Sequence, residues 1–197
     1  MDLTGRLRND YPVIDSKQSL RQYLAEDMAG HDLASWRLRY RLTRRPAYFQ
    51  RLLRKSEYWG NVRTDPVGRL VFAWYALRTK LLAERLGYTI PRNVFGPGLS
   101  IAHVGTITVN GCAVVGARCR IHQGVTIGSG RGYPAIGDDV FLGPNSMVLG
   151  AKVGDRVEVR PGAVVITDVP DDVHVAGVPA RILARRPDDT ADRVARP

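Results

Sequence analysis

The spacing of apolar residues changes once along the chain, near Gly87. Before it, apolar positions recur every three or four residues, the period of an amphipathic helix. The stretch "DSKQSLRQYLAEDMAG" offers Asp15 or Ser16 as an N-cap, Leu20, Leu24 and Met28 on one face, and Gly30 as a stop. A second helix is predicted from Pro46, a favourable first helical position, to Gly60. A third follows Asp65 as cap and Pro66, and ends at Gly87; its Leu70, Trp74, Leu77, Leu81 and Leu82 require something to pack on.

After Gly87 the period becomes six. The chain reads HVGTIT, VNGCAV, VGARCR and IHQGVT from His103, then a nine-residue step IGSGRGYPA, then IGDDVF and LGPNSM. A five-residue step VLGAK leads to VGDRVE, VRPGAV and Val165. The first position is aliphatic almost throughout, and the second is often Gly. A fixed period of this kind marks a repeat architecture. Six residues make one short strand and a corner, three units close a triangular coil of about 18 residues, and the first-position aliphatics stack inside it. A sandwich of short strands would instead alternate with period two. The expected fold is mainly β: a parallel β-helix of hexapeptide repeats over residues 89–183, after an α-helical domain at 1–88 and before a polar tail at 184–197. One residue breaks the rule. Counting six back from Val109 lands on His103.

Composition narrows the picture. The chain has 197 residues, of which 44% are hydrophobic and 24% charged, as in a globular protein. No apolar run reaches the roughly 18 residues that span a bilayer, so no integral membrane segment is expected. The first residues lack the apolar segment of a secretory signal, and a cytoplasmic protein is expected. The net charge of +10 favours an anionic partner, with basic residues concentrated in 36–60. That segment reads equally as a solvated helix face. No nucleic-acid-binding motif accompanies it, and nucleic acid is not expected as a partner. Cys112 and Cys119 form neither a disulfide framework nor a zinc-ligand spacing.

The hexapeptides, together with the closing "VHVAGVPARIL", resemble the left-handed parallel β-helix acyltransferases. The order of parts resembles the serine O-acetyltransferase group more closely: helices, then "GPGLSIAHVGTITVN", "CRIHQGVTIG", a short Gly-rich insertion and "AGVPAR". It is also similar to the serine-acetyltransferase-like enzymes of polysaccharide gene clusters, which acetylate sugar hydroxyls. The likeness implies a homotrimer, or a dimer of such trimers, with acetyl-CoA in clefts between subunits. In that group the catalytic histidine sits on the first complete coil, six residues before a Val that opens a hexapeptide. Here that position is His103. An alcohol attacks a thioester only as its proton is removed, and a base of pKa near 7 suits that task.

Other positions follow from the same likeness. His122, at the second place of its hexapeptide, points outward or into the cleft, as a contact for acceptor or cofactor or as plain surface. His174 is structural or near the cofactor. His103, His122 and His174 are too far apart in sequence for the zinc set of the hexapeptide carbonic anhydrases, and no metal is expected. The serine enzymes carry an acid before the histidine, an Arg–His pair in the insertion, and an acid fifteen positions upstream. Here those places hold Ala102, Gly132 with Tyr133, and Tyr88. Serine bears two charges, each needing a partner when buried. Arg131 by a one-residue shift, and Asp27 or Asp65 from the helices, are the substitutes on offer. These departures lean towards a neutral sugar acceptor, with serine itself as the alternative; Tyr133 and Tyr88 would line the pocket or equally serve as packing residues. A non-catalytic scaffold is the third reading. For acetyl-CoA, Gly143 and Ala163 would offer backbone groups, Gly177 and Ala180 shape the last coil, and Lys152 and Arg181 would meet phosphate.

Overall fold

A computed structural model describes residues 3–11, 13–63 and 65–185. The polar tail from residue 186 lies outside the described residues. Five helices come first. Helix α1 spans Leu3–Asp10 and α2 spans Lys17–Ala29. The Ser16 side chain caps α2 by accepting from the Ser19 N–H, and Gly30 ends it. The face that α2 buries is Tyr23 and Asp27; Leu20, Leu24 and Met28 are only half-buried beside it.

A short α3, Tyr40–Thr43, leads to α4, Arg45–Val62. Helix α4 continues past Gly60, which is no stop. A Cβ there would stand 3.0 Å from the ring of Phe72, so this glycine lets the next helix approach. That helix, α5, spans Pro66–Leu86 between the caps the sequence predicts. Asp65 accepts from the Gly68 N–H, and Gly87 closes the helix in the left-handed region at φ 78°. Its apolar stripe, however, faces solvent in the single chain. Leu70 is 73% exposed and Trp74 50%, and Leu77 and Leu81 are also exposed.

The remainder is a solenoid of short strands. They are β1 (Tyr88–Thr89), β2 (Ser100–Ile101), β3 (Ile107–Val109), β4 (Val114–Val115), β5 (Arg120–Ile121) and β6 (Thr126–Gly128). Next are β7 (Ala135–Ile136), β8 (Phe141–Leu142), β9 (Met147–Leu149) and β10 (Lys152–Val153). The last are β11 (Glu158–Val159), β12 (Val164–Val165), β13 (Val173–Ala176) and β14 (Arg181–Arg185). Three sheets form. Sheet I is β1-β3-β6-β9-β12, sheet II is β4-β7-β10, and sheet III is β2-β5-β8-β11-β13-β14. All pairs are parallel except β13 with β14, which pairs antiparallel and carries regular structure to Arg185, beyond the expected boundary at 183.

The chain visits the sheets in the order III, I, II, and each coil stacks on the one before. Val109, Val115, Ile121, Ile127, Ile136, Leu142, Val148, Val153, Val159 and Val165 are all buried in the prism. Each contributes roughly 1.5–3 kcal/mol by leaving water. Besides the nine- and five-residue steps already read from the sequence, the six-residue register fails at the first corner. Ile101 is the inward residue there, paired in register with Ile121. The step from Ile101 to Val109 is eight residues, and His103 stands outside on the lengthened corner.

Helices α2 and α4 are tied to the first coil through a buried guanidinium. Arg54 is fully buried, donates to Asp27 at 2.9 Å and Glu57 at 3.2 Å, and reaches the carbonyls of Phe95 and Gly96. Asp27 in turn accepts from the N–H groups of Gly98 and Leu99, and Glu57 from that of Asn93. Gln50 adds a further tie, donating to the Leu99 carbonyl and accepting from Ile101 N–H. Between them, these bonds set residues 93–101, the approach to His103, against α2 and α4.

Candidate active site

The edge where sheet III passes into sheet I is built from the corners 102–106, 122–125, 143–146 and 160–163. This edge gathers His103, His122, Gly143 and Ala163 into one column, although they are spread over sixty positions of sequence. His103 is exposed. Its ring centroid lies 5.5 Å from that of His122, tilted by 59°, and His122 lies 5.0 Å from Phe141. Burial, the neighbouring Arg120 and then His103 hold the His122 pKa below its ordinary value, so His122 is neutral at pH 7. The corners stack closely. A Cβ on Gly105 would come 2.8 Å from the Gln123 Cβ, and the Oε1 of Gln123 is buried with no hydrogen-bond partner among the described residues.

Of the two places open to Tyr88, the structure gives it packing and not the acceptor lining. It is buried at 4% exposure, its ring meets Phe49 edge-on, and its hydroxyl donates to the backbone carbonyl of His103 at 2.9 Å. Burial pushes its phenol above the ordinary value. Asp27 is likewise removed from the acceptor role, because Arg54, Gly98 and Leu99 engage its carboxylate in the core. Asp65 serves as the cap of α5 and pairs with Arg63.

Arg131 and Tyr133 sit on another edge, in the loop from β6 to β7 that joins sheet I to sheet II. Both are exposed, and within one chain the fold does not bring them to His103. Lys152, exposed at the start of β10, belongs to sheet II as well.

Gly143 and Ala163 lie on the His103 edge, but their N–H groups are engaged within the solenoid. Gly143 donates to the Val159 carbonyl at 2.8 Å, and Ala163 to that of Arg160 at 3.2 Å. A ligand there would meet the second lone pair of a carbonyl rather than a free N–H. Gly177 and Ala180 cap the same edge, since Val164 donates to Gly177 and accepts from Ala180. Arg181 is exposed at the start of β14. His174 stands 3.1 Å from Glu158 on sheet III, two strands from Phe141. Among the described residues, no group of three His, Cys, Asp or Glu side chains is placed to hold a metal. Cys112 is exposed and Cys119 buried, and burial pushes the Cys119 thiol up to about 12. No helix among the described residues is long and apolar enough to cross a membrane.

Sequence reasoning missed Gln50, Arg54 and the bond from Tyr88. The first two looked like members of a basic helix, and no local pattern marks a side chain whose partners lie forty residues away.

Comparison with known proteins bears on the repeat and the fold. A family described as "Hexapeptide repeat of succinyl-transferase" matches residues 135–167. The serine acetyltransferase of Synechococcus elongatus is 38% identical over 96 residues, covering 46% of this chain and 39% of that protein. The chain thus spans less than half the length of that relative. The crystal structure of Neisseria gonorrhoeae serine acetyltransferase superposes with a TM-score of 0.64 at 26% identity, covering 87% of this chain and 69% of that one. The serine acetyltransferase of Brucella abortus in complex with coenzyme A gives 0.63 at 25% identity, covering 94% and 73%. In repeat, in fold and in sequence, the chain is similar to the hexapeptide-repeat acyltransferases of the serine O-acetyltransferase type.

Proposed function

We propose that this chain is an acetyl-CoA-dependent O-acetyltransferase with His103 as its general base. The observation that carries the reading is the exposed imidazole on the edge between sheets III and I, at the place where the resemblance puts the catalytic histidine. The acceptor hydroxyl would attack the thioester carbonyl while His103 takes its proton. Collapse of the tetrahedral intermediate breaks the carbon–sulfur bond, and the imidazolium returns the proton to the departing CoA thiolate. The cofactor would run along the column of His122, Gly143 and Ala163 towards Gly177 and Ala180. The neutral ring of His122 beside the base adds no competing positive charge at pH 7.

Serine is the better supported acceptor. The relatives are named serine acetyltransferases, which outweighs the sugar acceptor expected from the sequence departures. A sugar acceptor is favoured by the departures at Ala102, Gly132, Tyr133 and Tyr88 and by the commitment of Asp27 to Arg54. A homotrimer fits the division of candidates between two edges. Arg131, Tyr133 and Lys152 lie on a different edge from His103, so they would serve the His103 of a neighbouring copy. The deciding experiment measures CoA thiol release from acetyl-CoA with L-serine and a panel of sugars. Transfer to at least one acceptor is expected, with His103→Ala losing more than about 90% of the rate. No transfer to any hydroxyl, or an unaffected His103→Ala, would overturn the reading.

A further inference from the structure

The corner that carries His103 is longer than the repeat requires, so the coil alone does not set its shape. The other corners of this edge are braced by the coils above and below. This one has a coil on one side only, where Ala102 donates to Ile121 and Gly124 donates to Thr106. On the other side stands the end of α5. Three consecutive residues there grip the corner. The Leu86 carbonyl accepts from Gly105 N–H at 3.3 Å, the Gly87 carbonyl from Ile107 N–H at 3.0 Å, and the Tyr88 hydroxyl donates to the His103 carbonyl at 2.9 Å.

Gly87 is held at φ 78°, and a Cβ there would lie 3.3 Å from the backbone of Thr106, so the grip is backbone against backbone. The contact that reaches His103 itself is the one from Tyr88. Its ring is wedged on Phe49, and Tyr88 pairs in register with Ile107, which fixes where the hydroxyl points.

We propose that Leu86, Gly87 and Tyr88 form a clasp on the base-bearing corner, and that Tyr88 is a positioning residue for the reaction, acting through the main chain of His103. The inference rests on the reading of His103 as base. Tyr88 stands at the position where the serine enzymes carry a carboxylate, but it works differently. A carboxylate on the ring would orient the imidazole and raise its basicity, whereas a phenol on the carbonyl aims the residue and leaves the ring's proton affinity alone. The phenol, kept protonated by burial, donates without titrating near neutral pH.

Tyr88→Phe removes the hydroxyl and keeps the ring on Phe49. It is expected to lower kcat by about tenfold, because small misplacement of a reacting group is costly. The KM for acetyl-CoA and for the acceptor should stay the same, and the midpoint of the pH–rate profile should not move. Hydrogen exchange at the Gly105 amide, which donates to Leu86, should accelerate. A kcat within about twofold of the wild type overturns the proposal. So does a displaced pH midpoint, which would mean that Tyr88 acts on the ring, or a KM that rises as kcat falls. If the wild-type chain turns over with no acceptor, the functional reading fails separately. Amide exchange then decides the clasp alone, and an unchanged Gly105 rate in Tyr88→Phe sinks it.

Discussion

His31 lies outside the proposed site, and it carries a pH dependence of its own. Its Nε2 lies 2.6 Å from the Gln50 Oε1. The Gln50 amide is held by the Leu99 carbonyl and the Ile101 N–H, so its oxygen faces His31 and the imidazole Nε2 must carry the proton. Burial, which outweighs the Gln50 hydrogen bond, holds the His31 pKa below its ordinary value. The unfolded chain therefore binds a proton more readily than the folded one. Stability from this group is full above the unfolded pKa of about 6.5 and is lost as pH falls below it. A melting series from pH 7.5 to 5 is expected to show a falling Tm, with a smaller fall in His31→Gln. At this scale the sequence singles out His103 by its place before a hexapeptide Val, offers Asp27 as a pocket carboxylate, and leaves Tyr88 open between pocket and packing. Nothing local tells whether a tyrosine faces a cleft or wedges into a core, since that depends on Phe49, which lies thirty-nine positions away.

The helices divide in the same way at the scale of elements. Caps are local chemistry, and Ser16, Asp65 and Gly87 stand where the sequence puts them. Asp65→Ala removes the cap and should lower the urea midpoint with an unchanged slope. Burial is not local. The apolar stripe of α2 is half-buried, while Asp27 beside it is the buried partner of Arg54. Removing Arg54 would leave Asp27 and Glu57 buried without their cation. Arg54→Ala is therefore expected to destabilise the chain by about 3–5 kcal/mol in urea unfolding. Arg54→Lys should recover only part of this, because an ammonium cannot span Asp27, Glu57 and two carbonyls in one plane.

For the whole molecule, stability resides in the stacked column. Ile127→Ala opens space with coils above and below and should cost about 2–5 kcal/mol by equilibrium unfolding. The exposed stripe of α5 is a property of this scale too. Monomeric proteins rarely leave a contiguous face such as Leu70, Trp74 and Leu77 uncovered, and such faces mark contact surfaces. The proposed trimer predicts a sedimentation mass of three chains. It also predicts recovered activity when His103→Ala is mixed with a variant inactivated on the Tyr133 edge, because each cleft would draw on two copies.

The sequence by itself determined the period, and through it the solenoid: a six-residue repeat of buried aliphatics permits little else, because each coil can bury its face only on the next. It determined the caps of α2 and α5, which depend on side chains within one turn of the backbone they cap, but not the end of α4, which runs past Gly60 because α5 packs against it there. The tertiary structure alone decided what surrounds His103. The lengthened corner, the clasp from α5 and the guanidinium that ties the helices to the first coil join residues remote in sequence, and their energies exist only once the chain has brought them together.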